Sequence, residues 1–343
     1  MKKGIKMTKN IMINGFGRIG RTFLRTLLLD DKAKKELTVV AINVGPCDVR
    51  NCDVLFKYDS IMPEYPAEVA FADGYLTINN QPIKILTEAD PCKLPHAAMN
   101  VTWVVEASGR FTSKEKAGMH LQAGAKKVLI TAPSSDTDIT IIPGVNAQKY
   151  QPASHHIISL GSCTTNAFAP LVKILKDHFG LINGLMTTTH AYTNDQVLLD
   201  VEHKDPRRAR AAALNIIPTK TGADKVIVQL FPELEGKIKA LAVRVPVPLS
   251  SLIDFAFTAT KPMSVEAINT AMKYAADHDL KHIVQYIDKP LVSSDFIGNP
   301  HSCIVDSLLT QCVGAMGKVF AWYDNEYGYS MRVKDFLLSV AAV

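Results

Sequence analysis

The six cysteines (Cys47, Cys52, Cys92, Cys163, Cys303 and Cys312) include no C-x-x-C pair and no metal-ligand spacing. That speaks against a disulfide framework and a structural zinc site, and it points to a reducing compartment. No apolar run is long enough to span a bilayer, and the basic stretch Met1–Asn10 is not followed by the apolar core of a secretory leader. A cytoplasmic protein is expected, with Met7 as an alternative start to Met1. Charge of one sign is also scarce: 38 Lys and Arg against 33 Asp and Glu leave +5 over 343 residues. Basic residues are not interleaved with aromatics, so small anionic ligands suit this chain and nucleic acid finds little support. The ten histidines, the His155-His156 doublet included, form no ligand motif, and no metal is expected. Repeats and low-complexity linkers are missing too. What remains is 47% hydrophobic and 21% charged, in a chain longer than one typical domain, so two packed cores are expected.

Asn10–Asn14 is an apolar, strand-like run that leads into Gly15, Gly17 and Gly20 at G-x-G-x-x-G spacing. Phe23, Leu24, Leu27 and Leu28 then follow a helical period, and Leu37–Ile42 is a second strand. This order is the context a dinucleotide fingerprint requires: one glycine for the tight turn, one for approach of the pyrophosphate, one for helix–strand packing. The carboxylate that usually ends the second strand and binds the ribose is missing, because Asn43-Val44-Gly45 stands there. NADP is therefore admissible beside NAD. Arg50 is close enough to be a phosphate partner or plain surface charge. Tyr75–Ile78 and Ile83–Leu86 read as a hairpin, Lys114–Ala123 as a helix, and Val101–Val105 and Lys127–Ile130 as strands whose ends line a crevice.

Further on, Phe168, Leu171, Val172, Leu175 and Phe179 share one helical face, and Ser162-Cys163-Thr164-Thr165-Asn166 stands at its start. A cysteine at the positive end of a helix favours the thiolate. Thr187–Tyr192 is β-prone and carries His190, and a turn using Gly180 and Gly184 would return it beside Cys163. Cysteine with histidine is the minimal equipment for covalent catalysis; a buried, inert cysteine is the other reading. Beyond this point Leu241, Val243 and Val245, then Ile253, Phe255 and Phe257, alternate as in half-buried strands. Val265–Ala276 and a run through Val333, Phe336, Leu337 and Val340 are amphipathic helices.

Taken together, Asn14–Arg21, Lys57–Ser60, Ser162–Asn166, Thr188–Thr193, Arg207–Ala212, Asn215–Pro218, Thr221–Ala223, Arg244–Pro246 and Trp322–Glu326 resemble the phosphorylating glyceraldehyde-3-phosphate dehydrogenases. The resemblance implies an α/β fold: a doubly wound (Rossmann) parallel-sheet domain for NAD(P) over 1–162, with a C-terminal helix about 328–343 packing back on it. It implies an α+β catalytic domain with a mixed, mostly antiparallel sheet over 163–327. Cys163 would be the nucleophile and His190 the base. Thr193, Arg207 and Arg244 would hold the substrate phosphate, and Ser162, Thr164, Thr221 and Gly222 the attacking inorganic phosphate. Gly15, Gly17, Arg18, Ile19, Gly20, Val44, Thr131, Asn325 and Tyr329 would face the cofactor, NAD first and NADP possible. Arg207, Arg208 and Arg210 read alternatively as a solvated basic run; Arg244 reads alternatively as half of a buried salt bridge. The resemblance further implies a homotetramer in which a loop about Leu199–Leu214 reaches a neighbour's cofactor. Glu202 in that loop opposes NADP if it approaches the ribose. Erythrose 4-phosphate dehydrogenase is the nearest alternative, with a thiol hydrolase or an RNA-binding protein as readings of other classes.

Overall fold

A computed structural model describes residues 8–341, the side chain of the last excepted. The alternative starts Met1 and Met7, and the last two residues of the expected C-terminal helix, lie outside the described residues. The chain forms two units. One comprises the described residues up to Ile141, with Gln148–Gly161 and those from Ser330 on; the other comprises Ile142–Ala147 and Ser162–Tyr329.

The first unit is built on a nine-stranded sheet. Its strands are β1 (Lys9–Asn14), β2 (Leu37–Asn43), β3 (Val69–Ala72), β4 (Tyr75–Ile78), β5 (Gln81–Leu86), β6 (Trp103–Glu106), β7 (Lys127–Ile130), β8 (Ile139–Thr140) and β9 (Ile157–Ser159), in the order 3-4-5-2-1-6-7-9-8. From β5 to β8 every pairing is parallel, and the antiparallel hairpin strands β3 and β4 extend one edge. Helices α1 (Arg18–Leu28), α2 (Asp31–Glu36), α3 (Cys52–Lys57) and α4 (Lys114–Gln122) belong to this unit. Strands covered on both faces must be apolar on both: Ile11, Met12, Ile13, Val104 and Val105 are fully buried. The chain winds one way from β1 to β2 and the other way to β6. Their carboxyl ends therefore part at a switch point, where such sheets bind ligands.

The second unit carries an eight-stranded mixed sheet, mostly antiparallel. Its strands are β10 (Leu181–Ala191), β11 (Ile217–Thr219), β12 (Ile238–Val245), β13 (Ser251–Ala259), β14 (Val284–Ile287), β15 (Cys303–Asp306), β16 (Gln311–Val313) and β17 (Met316–Tyr323). Helices α5 (Cys163–Phe179), α6 (Ala223–Leu230) and α7 (Val265–Asp277) accompany it, and α8 (Tyr327–Ala341) leads out of it into the last segment of the first unit. In that segment the Phe336 ring stands edge-on to Trp103, and Lys334 pairs with Asp30 at 2.6 Å.

Helix α5 begins where Ser162 Oγ accepts from the Thr165 N–H at 3.0 Å, and it ends at Gly180, whose φ of 68° suits glycine. Its apolar face packs on the sheet, with Phe168 edge-on to Phe255 at 4.8 Å. Two expectations about this region change. Gly184 lies inside β10 rather than in a turn, and glycine is needed there because a Cβ would meet the Phe255 ring at 2.5 Å. Strand β12 is half-buried as expected, but its inner face is the small one. Ile238 and Ala242 are buried while Leu241 is 45% exposed, on the same sheet face as Leu185 at 69%. Phe255 and Phe257, stacked on the opposite face, have already filled the interior.

Candidate active site

Strand β10 runs from the end of α5 back along it and places His190, its penultimate residue, beside the first residue of α5. Cys163 Sγ and His190 Nε2 are 3.5 Å apart. His190 Nδ1 donates to the Ala191 carbonyl at 2.6 Å, so Nε2 carries the lone pair and faces the sulfur. Burial, then Arg244, pushes the imidazole down to about 3, so it is neutral at any physiological pH. The thiol is pushed up by burial, against the opposing pull of Arg244 and the Thr164 N–H. Burial therefore disfavours both charged forms, the thiolate and the imidazolium. Desolvation thus opposes the thiolate that the helix dipole favours.

Tyr323 is the residue that sequence reasoning missed. Its buried hydroxyl bonds Thr164 Oγ1 at 3.0 Å and Thr188 Oγ1 at 2.7 Å, and its ring lies edge-on to His190. It locks the start of α5 to β10 and so fixes the distance between sulfur and imidazole. The Trp322–Glu326 run was the available signal. Asn325, in the same run, is buried and accepts from Ser251 Oγ at 3.0 Å; Ser251 Oγ in turn accepts from the Ala191 N–H at 3.1 Å. Tyr329 is buried.

The register of β10 on β12 pairs His190 with Arg244. Arg244 donates from Nη1 to the Ala191 carbonyl at 2.9 Å and to Thr193 Oγ1 at 3.3 Å, while its buried Nε has no partner. No carboxylate among the described residues pairs with it, so the salt-bridge alternative falls away. A guanidinium left this way is a seat for an external anion. The basic run divides differently from the expectation. Arg207 is exposed and its guanidinium donates to the Pro218 carbonyl at 3.4 Å. Arg208 is half-buried, donates to Thr219 Oγ1 at 2.9 Å and to the Lys220 carbonyl at 3.2 Å, and pairs with Asp195. Its charge acts on both His190 and Arg244. Arg210 is tied to Asp200. Thr221 Oγ1 accepts from the Ala223 N–H at 3.3 Å, and Gly222 caps α6 with open space where a side chain would be. Ser162 is half-buried and Thr164 buried.

In the first unit, a cavity of about 380 Å³ opens at the switch point. Asn14–Gly17 after β1, Asn43–Asp48 after β2, and Ala107 with Ser108 after β6 line it. Gly15 has φ +99°, and a Cβ there would meet Ser108 N at 2.4 Å; Gly20 lies against the Gly15 carbonyl. A Cβ on Gly17 would meet nothing within 4 Å, and this residue caps α1 without any side-chain bond. An uncapped helix start beside bare backbone fits a pyrophosphate. Val44 lines the cavity, whereas Arg18, Ile19 and Thr131 do not. Arg18 pairs with Asp59 at 2.5 Å, and Thr131 bonds the Glu106 carbonyl. Arg50, the candidate phosphate partner, is held by Asp48 at 2.5 Å.

Residues 9–114 match the sequence profile described as "Glyceraldehyde 3-phosphate dehydrogenase, NAD binding domain", and residues 162–325 match the C-terminal domain of the same enzyme. The chain belongs to the glyceraldehyde 3-phosphate dehydrogenase family. It is 50% identical over 337 residues to the glyceraldehyde-3-phosphate dehydrogenase of Priestia megaterium, covering 98% of this chain and 99% of that one. The enzyme of that name from Geobacillus stearothermophilus is 47% identical over 337 residues, with coverage of 98% and 99%. That from Streptomyces coelicolor is 48% identical, with coverage of 97% and 99%. Within the family the N-terminal part is the NAD-binding domain, which agrees with the glycine cradle of the first unit. No helix among the described residues is long and apolar enough to cross a membrane.

Proposed function

We infer that the protein catalyses the phosphorylating oxidation of D-glyceraldehyde 3-phosphate to 1,3-bisphosphoglycerate. The observation that carries this reading is the Cys163 sulfur 3.5 Å from His190 Nε2, beside an arginine that no carboxylate among the described residues pairs with. Cys163 Sγ adds to the aldehyde carbon while the thiol proton passes to the aldehyde oxygen, giving a thiohemiacetal. His190 Nε2 takes the hydroxyl proton as that carbon loses its hydride, and a thioester on Cys163 results. Bound NAD supplies the hydride acceptor. Inorganic phosphate then attacks the thioester carbon, releasing the acyl phosphate and restoring the sulfur.

Arg244 and Thr193 are assigned to the substrate phosphate, and Ser162, Thr164, Thr221 and Gly222 to the attacking one. Arg208 takes the part first given to Arg207. Arg208→Ala is expected to raise the KM for glyceraldehyde 3-phosphate about tenfold, the usual worth of a charge-assisted bond. Arg207→Ala should leave it within about twofold. A raised KM in Arg207→Ala with an unchanged one in Arg208→Ala would return the assignment to Arg207.

Residues 1–162 with the helix about 328–343 are assigned to the cofactor, as are Asn325 and Tyr329, and 163–327 to catalysis. Val44 leaves the cavity without the usual ribose carboxylate, so NADP remains a second cofactor. Val44→Asp is expected to lower the NADP-to-NAD ratio of kcat/KM by about tenfold or more, through repulsion of the 2′-phosphate. An unchanged ratio would show that position 44 is not at the ribose. A homotetramer is supported by Leu198, Leu199, Leu214 and Ile216, all at least 70% exposed, and by the outward Leu185 and Leu241. A cytoplasmic setting is supported by the six free thiols.

The test is a 340 nm assay with glyceraldehyde 3-phosphate and NAD. Turnover with phosphate and a burst near one NADH per subunit without it are expected. Equal turnover without phosphate would overturn the phosphorylating step.

A further inference from the structure

Five buried side chains of the first unit form a continuous chain that the proposed reaction does not use. His96 Nε2 and His120 Nδ1 are 3.0 Å apart, and His120 Nε2 is 3.2 Å from Glu106 Oε2. Glu106 Oε2 also accepts from Asn14 Nδ2 at 2.5 Å, while its Oε1 accepts from the Ser108 N–H at 2.8 Å and from the Ser108 hydroxyl. Asn14 Oδ1 accepts from Asn43 Nδ2 at 2.7 Å, and Asn43 Oδ1 accepts from the Glu88 N–H at 2.9 Å. His96, His120, Glu106, Asn14 and Asn43 are all under 5% exposed. The last three end strands β6, β1 and β2, and Asn14, Asn43, Glu88 and Ser108 line the cavity.

The direction of the chain follows from its outer end. His96 Nδ1 is buried without a partner. An orphaned lone pair costs less than an orphaned N–H, so the His96 proton sits on Nε2 and is donated to His120 Nδ1. His120 Nδ1 is then an acceptor, and its proton sits on Nε2, where Glu106 takes it. Burial, with His120 adding to it, pushes His96 down to about 4, in keeping with a neutral ring. A buried carboxylate with free lone pairs would turn to find donors. Here four donors hold it in one rotamer, and two of those belong to Ser108, whose N–H would be 2.4 Å from a Cβ on Gly15.

We propose that His120 is a positioning residue for the dinucleotide: through Glu106 it holds Asn14 and Ser108, and with them the Gly15 turn, in the shape that receives NAD, and His96 fixes its tautomer. This rests on the cavity being the cofactor site. NAD gains its binding energy only from a preformed cradle; a Glu106 carboxylate short of one donor loosens that cradle without touching the thiol or the imidazole.

The experiment titrates the full-length protein with NAD and measures kcat at saturating NAD. His120→Leu is expected to raise the NAD dissociation constant about tenfold with kcat within about twofold of the parent. His120→Gln, whose amide still donates to Glu106, should restore most of the affinity. A His120→Leu protein with parental affinity would overturn the proposal, as would equal affinity loss in both variants. If the parent itself shows no saturable NAD binding, the cavity assignment fails instead. Should His120→Leu not fold, the parent's nitrogen-15 histidine spectrum decides. Both rings are expected as Nε2–H tautomers at pH 7, and an Nδ1–H tautomer at either would break the chain.

Discussion

Cys163→Ser is expected to abolish aldehyde oxidation, lowering kcat/KM by about 10⁴-fold or more, the scale seen when a covalent nucleophile is removed. The substitution is nearly isosteric. Ser162 still caps α5, and Tyr323 still ties Thr164 to Thr188, so the fold should persist. What changes is acidity. Even with burial pushing the Cys163 thiol up, a hydroxyl in the same place has no accessible anion, and a neutral imidazole at this spacing is too weak a base to make one. NAD titration of the variant should match the parent, because the glycine cradle belongs to the first unit. Stopped-flow traces at 340 nm check this: the parent gives a burst and the serine protein none. Normal turnover by the serine protein would demand another nucleophile. Neither Cys303 nor Cys52 offers a substitute, since Cys303 is wholly buried in the core with its thiol pushed far up and Cys52 is raised to about 11.

Much of this arrangement was legible in the chain itself, and the reason is locality. The G-x-G-x-x-G turn is a matter of neighbouring residues: Gly15 needs its positive φ and Gly20 its bare Cα whatever lies elsewhere. The start of α5 is equally local, set by Ser162 and the period of Phe168, Leu171 and Leu175. What was hidden depends on distant partners. Gly184 is a strand residue that must be glycine because Phe255, far along the chain, fills the space a Cβ would take. Leu241 turns outward because Phe255 and Phe257 have taken the interior. Arg207 and Arg208 are indistinguishable in sequence, and only the path of the loop past Thr219 and Asp195 separates them. The protonation state of the Cys163–His190 pair is a property of burial, which no motif encodes. The role of Tyr323, though it lies in the Trp322–Glu326 run, and the His96–His120–Glu106 chain were hidden for the same reason: each joins segments far apart in the chain through side chains that carry no spacing pattern.

His190→Asn is expected to slow turnover by about 100- to 10,000-fold, the contribution of a positioned general base. Two features of the geometry make the effect large and specific. The ring is presented with its lone pair toward the sulfur, since Nδ1 is spent on the Ala191 carbonyl. It is also neutral over the whole working range, because burial and Arg244 hold its acidity at about 3. The pH profile follows from these signs. A base that titrates near 3 places no acid limb above pH 4, whereas a Cys163 thiol raised by burial makes the parent's rate climb with pH until that thiol ionises. An asparagine amide fits the same strand position, opposite Arg244 on β12, but accepts no proton. In the variant the hydroxyl proton must go to solvent, and the rate should keep climbing with hydroxide instead of levelling. Single-turnover rates from pH 5 to 10 in both proteins measure this. A parent profile with an acid limb near 6.5 that vanishes in His190→Asn would mean the imidazole is charged at rest. The pair would then be the ion pair that burial here argues against.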